Sequence, residues 1–254
     1  MAEKVWLKLY PEQIPHTLTY EEIPIQEFLT RSATKFPSNT AIHFMGKEMN
    51  YQELYESSLK FANYLQTLGI EKGDRVAIML PNCPQGVIAY YGILYAGGIV
   101  VQTNPLYTER EAQYQLKDSG AKAIITLDIL YPRISKIMQE TDLENLIITG
   151  IKDYLPFPKN MIYPFIQKKQ YGFSVKVEHR GSNHLFTEVM KVGKAEKITS
   201  PVDFENDLAM LQYTGGTTGF PKGVMLTHKN LVTNVTMCKH WLYECEDGKE
   251  REYS

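Results

Sequence analysis

The spacing of apolar residues sorts much of the first 150 positions into alternating helices and strands. Asn50 followed by Glu53 forms a capping-box pair. Behind it Tyr51, Leu54, Tyr55, Ala62, Leu65 and Leu68 fall on one helical stripe, which Gly69 closes. Arg75–Leu80 is a short apolar run ended by Pro81-Asn82 and reads as a strand. Thr108 and Glu111 repeat the capping signal and open a helix that ends at Gly120. Ala121–Leu127 predicts a strand, Pro132–Glu140 a helix and Leu143–Thr149 another strand.

Between these lies a stretch without a charge, Pro84 to Thr108, long enough to span a bilayer. It also holds Gly86, Gly92, Gly97, Gly98, Asn104, Pro105 and two glutamines. Gly97-Gly98 splits it into a helix-like half, Gln85–Ala96, and a β-rich half, Ile99–Thr103. Strands covered on both faces read as continuous apolar runs, so a buried helix followed by a buried parallel strand is expected here. The resulting order, β-α-β-α-β-α-β over about 75 residues, predicts an α/β fold of parallel sheets flanked by helices, with right-handed crossovers. Ligands of such sheets sit at the carboxyl ends of the strands.

The pattern breaks from Gly150 to Ser200. Pro156, Pro158 and Pro164 interrupt it, and Lys159, Lys168, Lys169, Lys176 and Arg180 lie among Phe157, Tyr163, Phe165, Tyr171 and Phe173. The expectation is an inserted surface segment with a short amphipathic helix. A basic-aromatic mixture also suits a membrane surface or a nucleic acid. Three regions result: 25–150 as the βαβ-type part, 151–200 as the insertion, and 201–254 as a hairpin and a following helix.

Composition narrows the field. The 254 residues carry a net charge of −2, with 43% hydrophobic and 22% charged residues, which suits a soluble globular chain; nothing in that balance argues for nucleic acid or an anionic membrane as the main partner, and no nucleic acid is expected. Cys83, Cys238 and Cys245 form no CxxC pair, and Cys238 and Cys245 flank His240 at a spacing that fits no zinc finger or ribbon, so no metal site is expected. The first eleven residues have charges at Glu3, Lys4 and Lys8 and no apolar signal-peptide core. A cytoplasmic protein is expected, with peripheral contact at the membrane inner face as the finer reading.

The segment that carries chemistry is AMLQYTGGTTGFPKGVMLTH, residues 209–228. Two β-prone pieces, Ala209–Tyr213 and Gly223–Leu226, flank a loop of Thr, Gly and Pro. Gly215, Gly216 and Gly219 permit a backbone that turns successive N–H groups inward as an anion nest. Thr214, Thr217 and Thr218 add hydroxyl donors, and Lys222 brings a compact positive charge whose presentation Pro221 restricts. Pro221 and Gly223 around the lysine exclude a Walker A loop, and Thr214 stands where a dinucleotide fingerprint needs its first glycine.

Thr214–Gly223 resembles, without a gap, the signature loop of the acyl-adenylate-forming (AMP-binding) superfamily: Ser/Thr-Ser/Gly-Gly-Ser/Thr-Thr-Gly-x-Pro-Lys-Gly. The upstream stretch from Met49 to Tyr107 is similar to the early region of the same family: its Tyr-x-Glu-Leu helix at Tyr51, its Lys-Gly-Asp at Lys72 and its Ala-Gly-Gly turn followed by Asn104-Pro105. Within the family, the loop wording and the Pro/Lys-rich insertion look closest to long-chain fatty-acid–CoA ligases.

That resemblance implies a two-step reaction. ATP and an acid give acyl-AMP and pyrophosphate, and the thiol of coenzyme A then displaces AMP. It also implies that Thr214, Thr217, Thr218, Lys222 and the backbone of Gly215, Gly216 and Gly219 hold the β- and γ-phosphates, with Mg2+ sharing the charge. Members of the family run considerably longer, and their later nucleotide, ribose and carboxylate contacts have no counterpart in this sequence. The chain therefore reads as the N-terminal portion of the AMP-binding domain without the C-terminal domain, and no catalytic residue is assigned in it. Leu231–Tyr243 is expected as an amphipathic helix behind the loop. On this reading the isolated chain has little ligase activity and self-associates as a homo-oligomer through unpaired strand edges. A nucleotide-binding module without catalysis, and an adenylating enzyme for an amino or aryl acid, are the alternatives.

Overall fold

The computed structural model describes residues 4–172, 175, 177, 179–215, 221–245 and 248. Helix α1 (Glu27–Lys35) leads into an antiparallel hairpin of β1 (Thr40–Phe44) and β2 (Lys47–Asn50). Its two-residue turn, Met45-Gly46, has positive φ at both positions, 51° and 94°, the geometry whose twist suits paired strands. Then follow α2 (Tyr51–Thr67), β3 (Arg75–Met79), α3 (Pro84–Tyr95), β4 (Ile99–Gln102), α4 (Glu109–Ser119), β5 (Ala121–Leu127), α5 (Tyr131–Ile137) and β6 (Asn145–Thr149). The chain continues through α6 (Lys159–Tyr171), β7 (Asn183–Leu185), α7 (Phe186–Val192), β8 (Leu208–Thr214), β9 (Lys222–Thr227) and α8 (His228–Trp241).

Both expected capping boxes form. Glu53 N donates to Asn50 Oδ1 at 2.8 Å while Asn50 N donates to Glu53 Oε2 at 2.9 Å, and Thr108 with Glu111 repeats the arrangement. The uncharged stretch is the buried α3 followed by the buried β4, and no helix of the described residues is long and apolar enough to cross a membrane. The expected helix Pro132–Glu140 is shorter: α5 ends at Ile137, and Met138–Glu140 tightens into a 3₁₀ turn, as helix ends commonly do. The expected strand Leu143–Thr149 starts only at Asn145, where pairing with Ala123 begins.

Seven strands form one sheet in the order β7-β6-β5-β3-β4-β8-β9, parallel throughout except for β9, which runs antiparallel to β8. From β3 the chain steps to β4 and then back past β3 to β5. Right-handed crossovers therefore place α3 and α4 on opposite faces. The packing agrees, since α3 and α7 lie against α2 while α4 lies against α5. Phe61, Ile88, Ile93, Ile124, Ile125, Ile134 and Phe186 fill the layers at zero exposure. Each such burial is worth about 1.5–3 kcal/mol against leaving the side chain in water.

The 151–200 segment needs a correction. Its first half carries the short surface helix α6, but its second half is not an excursion from the fold. β7 extends the sheet beside β6, α7 packs on α2, and Phe186 lies fully buried with its ring 5.7 Å from that of Phe61. A three-residue strand is too short to leave a readable alternation.

Candidate phosphate-binding site

The stems of the glycine-rich loop are β8 and β9, each slightly longer than the apolar pieces that announced them. β8 is held on one side by β4, through the pairs Val100–Met210, Val101–Leu211 and Gln102–Gln212. On the other side its ladder with β9 ends at the pair Thr214–Lys222. Directly opposed residues have Cβ atoms about 5 Å apart, so the first hydroxyl of the loop and its only lysine leave the sheet side by side. Both residues are exposed, and so is Gly215. Lys222 forms no ion pair with any described residue. Gly216, Thr217, Thr218 and Gly219 lie outside the described residues. Of the seven expected phosphate contacts, the structure thus places Thr214, Gly215 and Lys222, and brings them together at one mouth.

What fixes that mouth is the residue before it. Tyr213 is buried, and its hydroxyl donates to Asp118 Oδ2 at 2.6 Å, which ties β8 to the end of α4. Burial, and then the Asp118 carboxylate, push the Tyr213 hydroxyl far above the ordinary phenol range, so it stays a donor at any working pH. Gly223, its cross-strand partner, lies under the ring. A Cβ there would come within 3.0 Å of Tyr213 Cζ and 3.1 Å of Cε2. The glycine after the lysine therefore makes room for the tyrosine before the loop.

Behind the loop, Thr227 caps α8 with Asn230, so the helix begins at His228 rather than at the expected Leu231. The His228 ring is buried, and its Nδ1 accepts a hydrogen bond from Ile25 N at 3.2 Å. Burial, only partly opposed by Asp207, lowers its pKa to about 4, so the ring is neutral and its proton sits on Nε2. Lys72 pairs with Asp207 at 2.7 Å just ahead of β8. The contacts of Asp118, Gly223 and His228 escape a reading of the sequence because their partners lie on other strands or far along the chain.

The mouth stands on the carboxyl edge of the parallel strands, where the fold class predicts a ligand. On the same edge, at the ends of β3 and β4, lies a cavity of about 440 Å3 lined by Leu80, Cys83, Tyr90, Tyr91 and Gln102 among others. Burial pushes the Cys83 thiol up to about 11, so it remains protonated there. Thr214, Gly215 and Lys222, the expected phosphate contacts among the described residues, do not line this cavity. At its far side Gln115 Nε2 donates to Gln102 O at 2.9 Å and to Thr103 Oγ1 at 3.2 Å, which pins the end of β4 next to the loop-bearing strand.

Known proteins resemble this chain along nearly its whole length. The chain is 50% identical over 251 residues to a long-chain-fatty-acid–CoA ligase of Bacillus subtilis, covering 98% of this chain and 44% of that protein. It is 40% identical over 248 residues to one from Haemophilus influenzae, covering 95% of this chain and 43% of that protein. The structure of a long-chain-fatty-acid–CoA ligase from Archaeoglobus fulgidus superposes with a TM-score of 0.69 at 27% identity, covering 89% of this chain and 41% of that one. The chain thus spans less than half the length of the curated relatives it matches. Residues 29–253 match the AMP-binding enzyme family, and the chain belongs to that family.

Proposed function

We propose that the hairpin loop is the phosphate cradle of an ATP site, and that the protein to which these residues belong is a fatty-acid–CoA ligase. The observation that carries the reading is the Thr214–Lys222 pair at the mouth of a glycine- and threonine-rich loop, on the carboxyl edge of a parallel sheet. The long-chain fatty acid as substrate rests on the 50% identity to the Bacillus subtilis ligase.

In this reading Thr214, Thr217 and Thr218 donate hydroxyl hydrogen bonds to the β- and γ-phosphates. The backbone N–H groups of Gly215, Gly216 and Gly219 form the nest, and Lys222 lays its charge against the same oxygens. The acid's carboxylate oxygen attacks the α-phosphorus, the bond to pyrophosphate breaks, and acyl-AMP forms. The cradle holds the leaving pyrophosphate in line and takes up the charge that develops on it. The sulfur of coenzyme A then attacks the acyl carbonyl, giving the thioester, AMP and the thiol's proton. Among the described residues no cluster of three or more His, Cys, Asp or Glu side chains is placed to hold an ion. Mg2+ would enter with the ATP phosphates and share their charge.

Calorimetric titration with MgATP tests the reading on the chain and on a Lys222→Ala variant. The chain should bind, and the variant should bind at least about tenfold more weakly, ~1.4 kcal/mol. Equal binding by both, or binding by neither, would overturn the assignment of the loop.

A further inference from the structure

Helix α6 turns its apolar side outward. None of residues 159–170 is buried, and Met161, Ile162, Phe165 and Ile166 are 63%, 51%, 77% and 53% exposed, with Phe157 ahead of the helix at 78%. At 100° per residue the four helical positions fall in an arc of about 140°. The opposite side, with Tyr163, Pro164 and Gln167, is half-buried against the protein, and polar bonds hold the helix there. Gln167 Nε2 donates to Asp128 Oδ1 at 2.9 Å, and Lys159 Nζ donates to Met45 O at 2.7 Å. A surface helix of a soluble chain ordinarily shows the reverse, with its apolar stripe inward.

The charge around the stripe is one-sided. From Leu155 to Gly172 the sequence has three lysines and no Asp or Glu, and Lys168 and Lys169 are exposed at the carboxyl end of the arc. We propose that this face of α6 docks on an anionic lipid bilayer. Phe157, Met161, Ile162, Phe165 and Ile166 would enter the headgroup–acyl boundary while Lys168 and Lys169 meet the anionic headgroups. An apolar arc with lysines beside it is the pattern of helices that lie in the plane of a membrane. A nucleic acid is the poorer fit, because Met161, Ile162 and Ile166 offer a base no ring to stack on. The helix is bonded to Asp128 at the end of β5, which β3 and β4 separate from the loop-bearing β8, and it shares no residue with the phosphate cradle, so the two readings succeed or fail separately.

Flotation with vesicles of phosphatidylglycerol and phosphatidylcholine tests the docking. The chain should float with anionic vesicles, less with phosphatidylcholine alone, and less again as salt is raised. Phe165→Glu and the double variant Lys168→Glu/Lys169→Glu should each lose most of the bound fraction while binding MgATP as the parent does. Phe165→Trp, which keeps the apolar surface, should still float, and brominated lipid should quench its added fluorescence. Failure to float, flotation unchanged in both charge variants, or capture of single-stranded RNA in place of vesicles would overturn the proposal. So would loss of self-association in Phe165→Glu when vesicles capture nothing, since the face would then belong to a second copy of the chain.

Discussion

Acidification should destabilise the chain through His228. The unfolded imidazole titrates near its ordinary 6.5, while the folded one, buried and accepting from Ile25 N, titrates at about 4. Between those values the unfolded chain binds a proton that the folded chain refuses. Stability is therefore whole above pH 6.5, falls as the pH drops through the window, and levels off below 4. At ~1.4 kcal/mol per pH unit the full loss is ~3 kcal/mol, and ~2 kcal/mol of it is felt by pH 5. That is a large share of the roughly 5–15 kcal/mol that holds a domain together. His184, buried between Tyr64 and Asn145 and likewise lowered, first by burial and then by His179, adds a smaller slope of the same sign. Asp74 works in the opposite region. Burial raises its pKa, but bonds from Lys122 and from Glu71 N outweigh that and leave it below the ordinary carboxylate value, so its contribution is lost only at lower pH. Urea melts at pH 7, 6, 5 and 4.5 read the slope directly. His228→Asn supplies an oxygen in place of Nδ1 for the Ile25 N–H and cannot titrate, so its stability should change much less across the window. An equal slope in the parent and in His228→Asn would refute the reasoning.

Two glycines make further predictions. Gly223→Ala should push on the Tyr213 ring, cost ~1–3 kcal/mol and weaken MgATP binding; in a Tyr213→Ala background the added methyl should cost much less, and an unchanged cost in that double-mutant cycle would contradict the contact. At Gly92, where α3 crosses α2, a Cβ would meet Phe61 Cδ1 at 2.8 Å and the Ser58 carbonyl oxygen at 2.9 Å, so Gly92→Ala should lower the urea midpoint by a similar ~1–3 kcal/mol, and a neutral result would show that the helices can part freely.

The division between what could and could not be read along the chain follows sequence separation. Capping boxes close over three residues, and a buried strand is a run of a few, so Asn50 with Glu53, Thr108 with Glu111, and Ala121–Leu127 announce themselves locally. The stems of the glycine-rich loop, β8 and β9, do so too, as two short β-prone pieces. The short strand β7 left no period to count, and β1 with β2 carry only a weak alternation whose turn, Met45-Gly46, lacks the usual Asn or Asp before its glycine. The contacts that aim the loop are another matter: Tyr213 reaches Asp118 across 95 positions, and His228 reaches Ile25 across 203. No local pattern encodes such pairs, since each partner alone is an ordinary residue in an ordinary element. On the proposed reading the loop supplies donors, and a phosphate cradle must hold them still against the charge it binds. In this fold that stiffness comes from β4 on one side of β8, from the Tyr213–Gly223 packing across the hairpin, and from His228 at the base of β9. A variant such as Tyr213→Phe leaves every donor of the loop in place. Loss of MgATP affinity in it would show that the distant contacts, and not the motif alone, make the site.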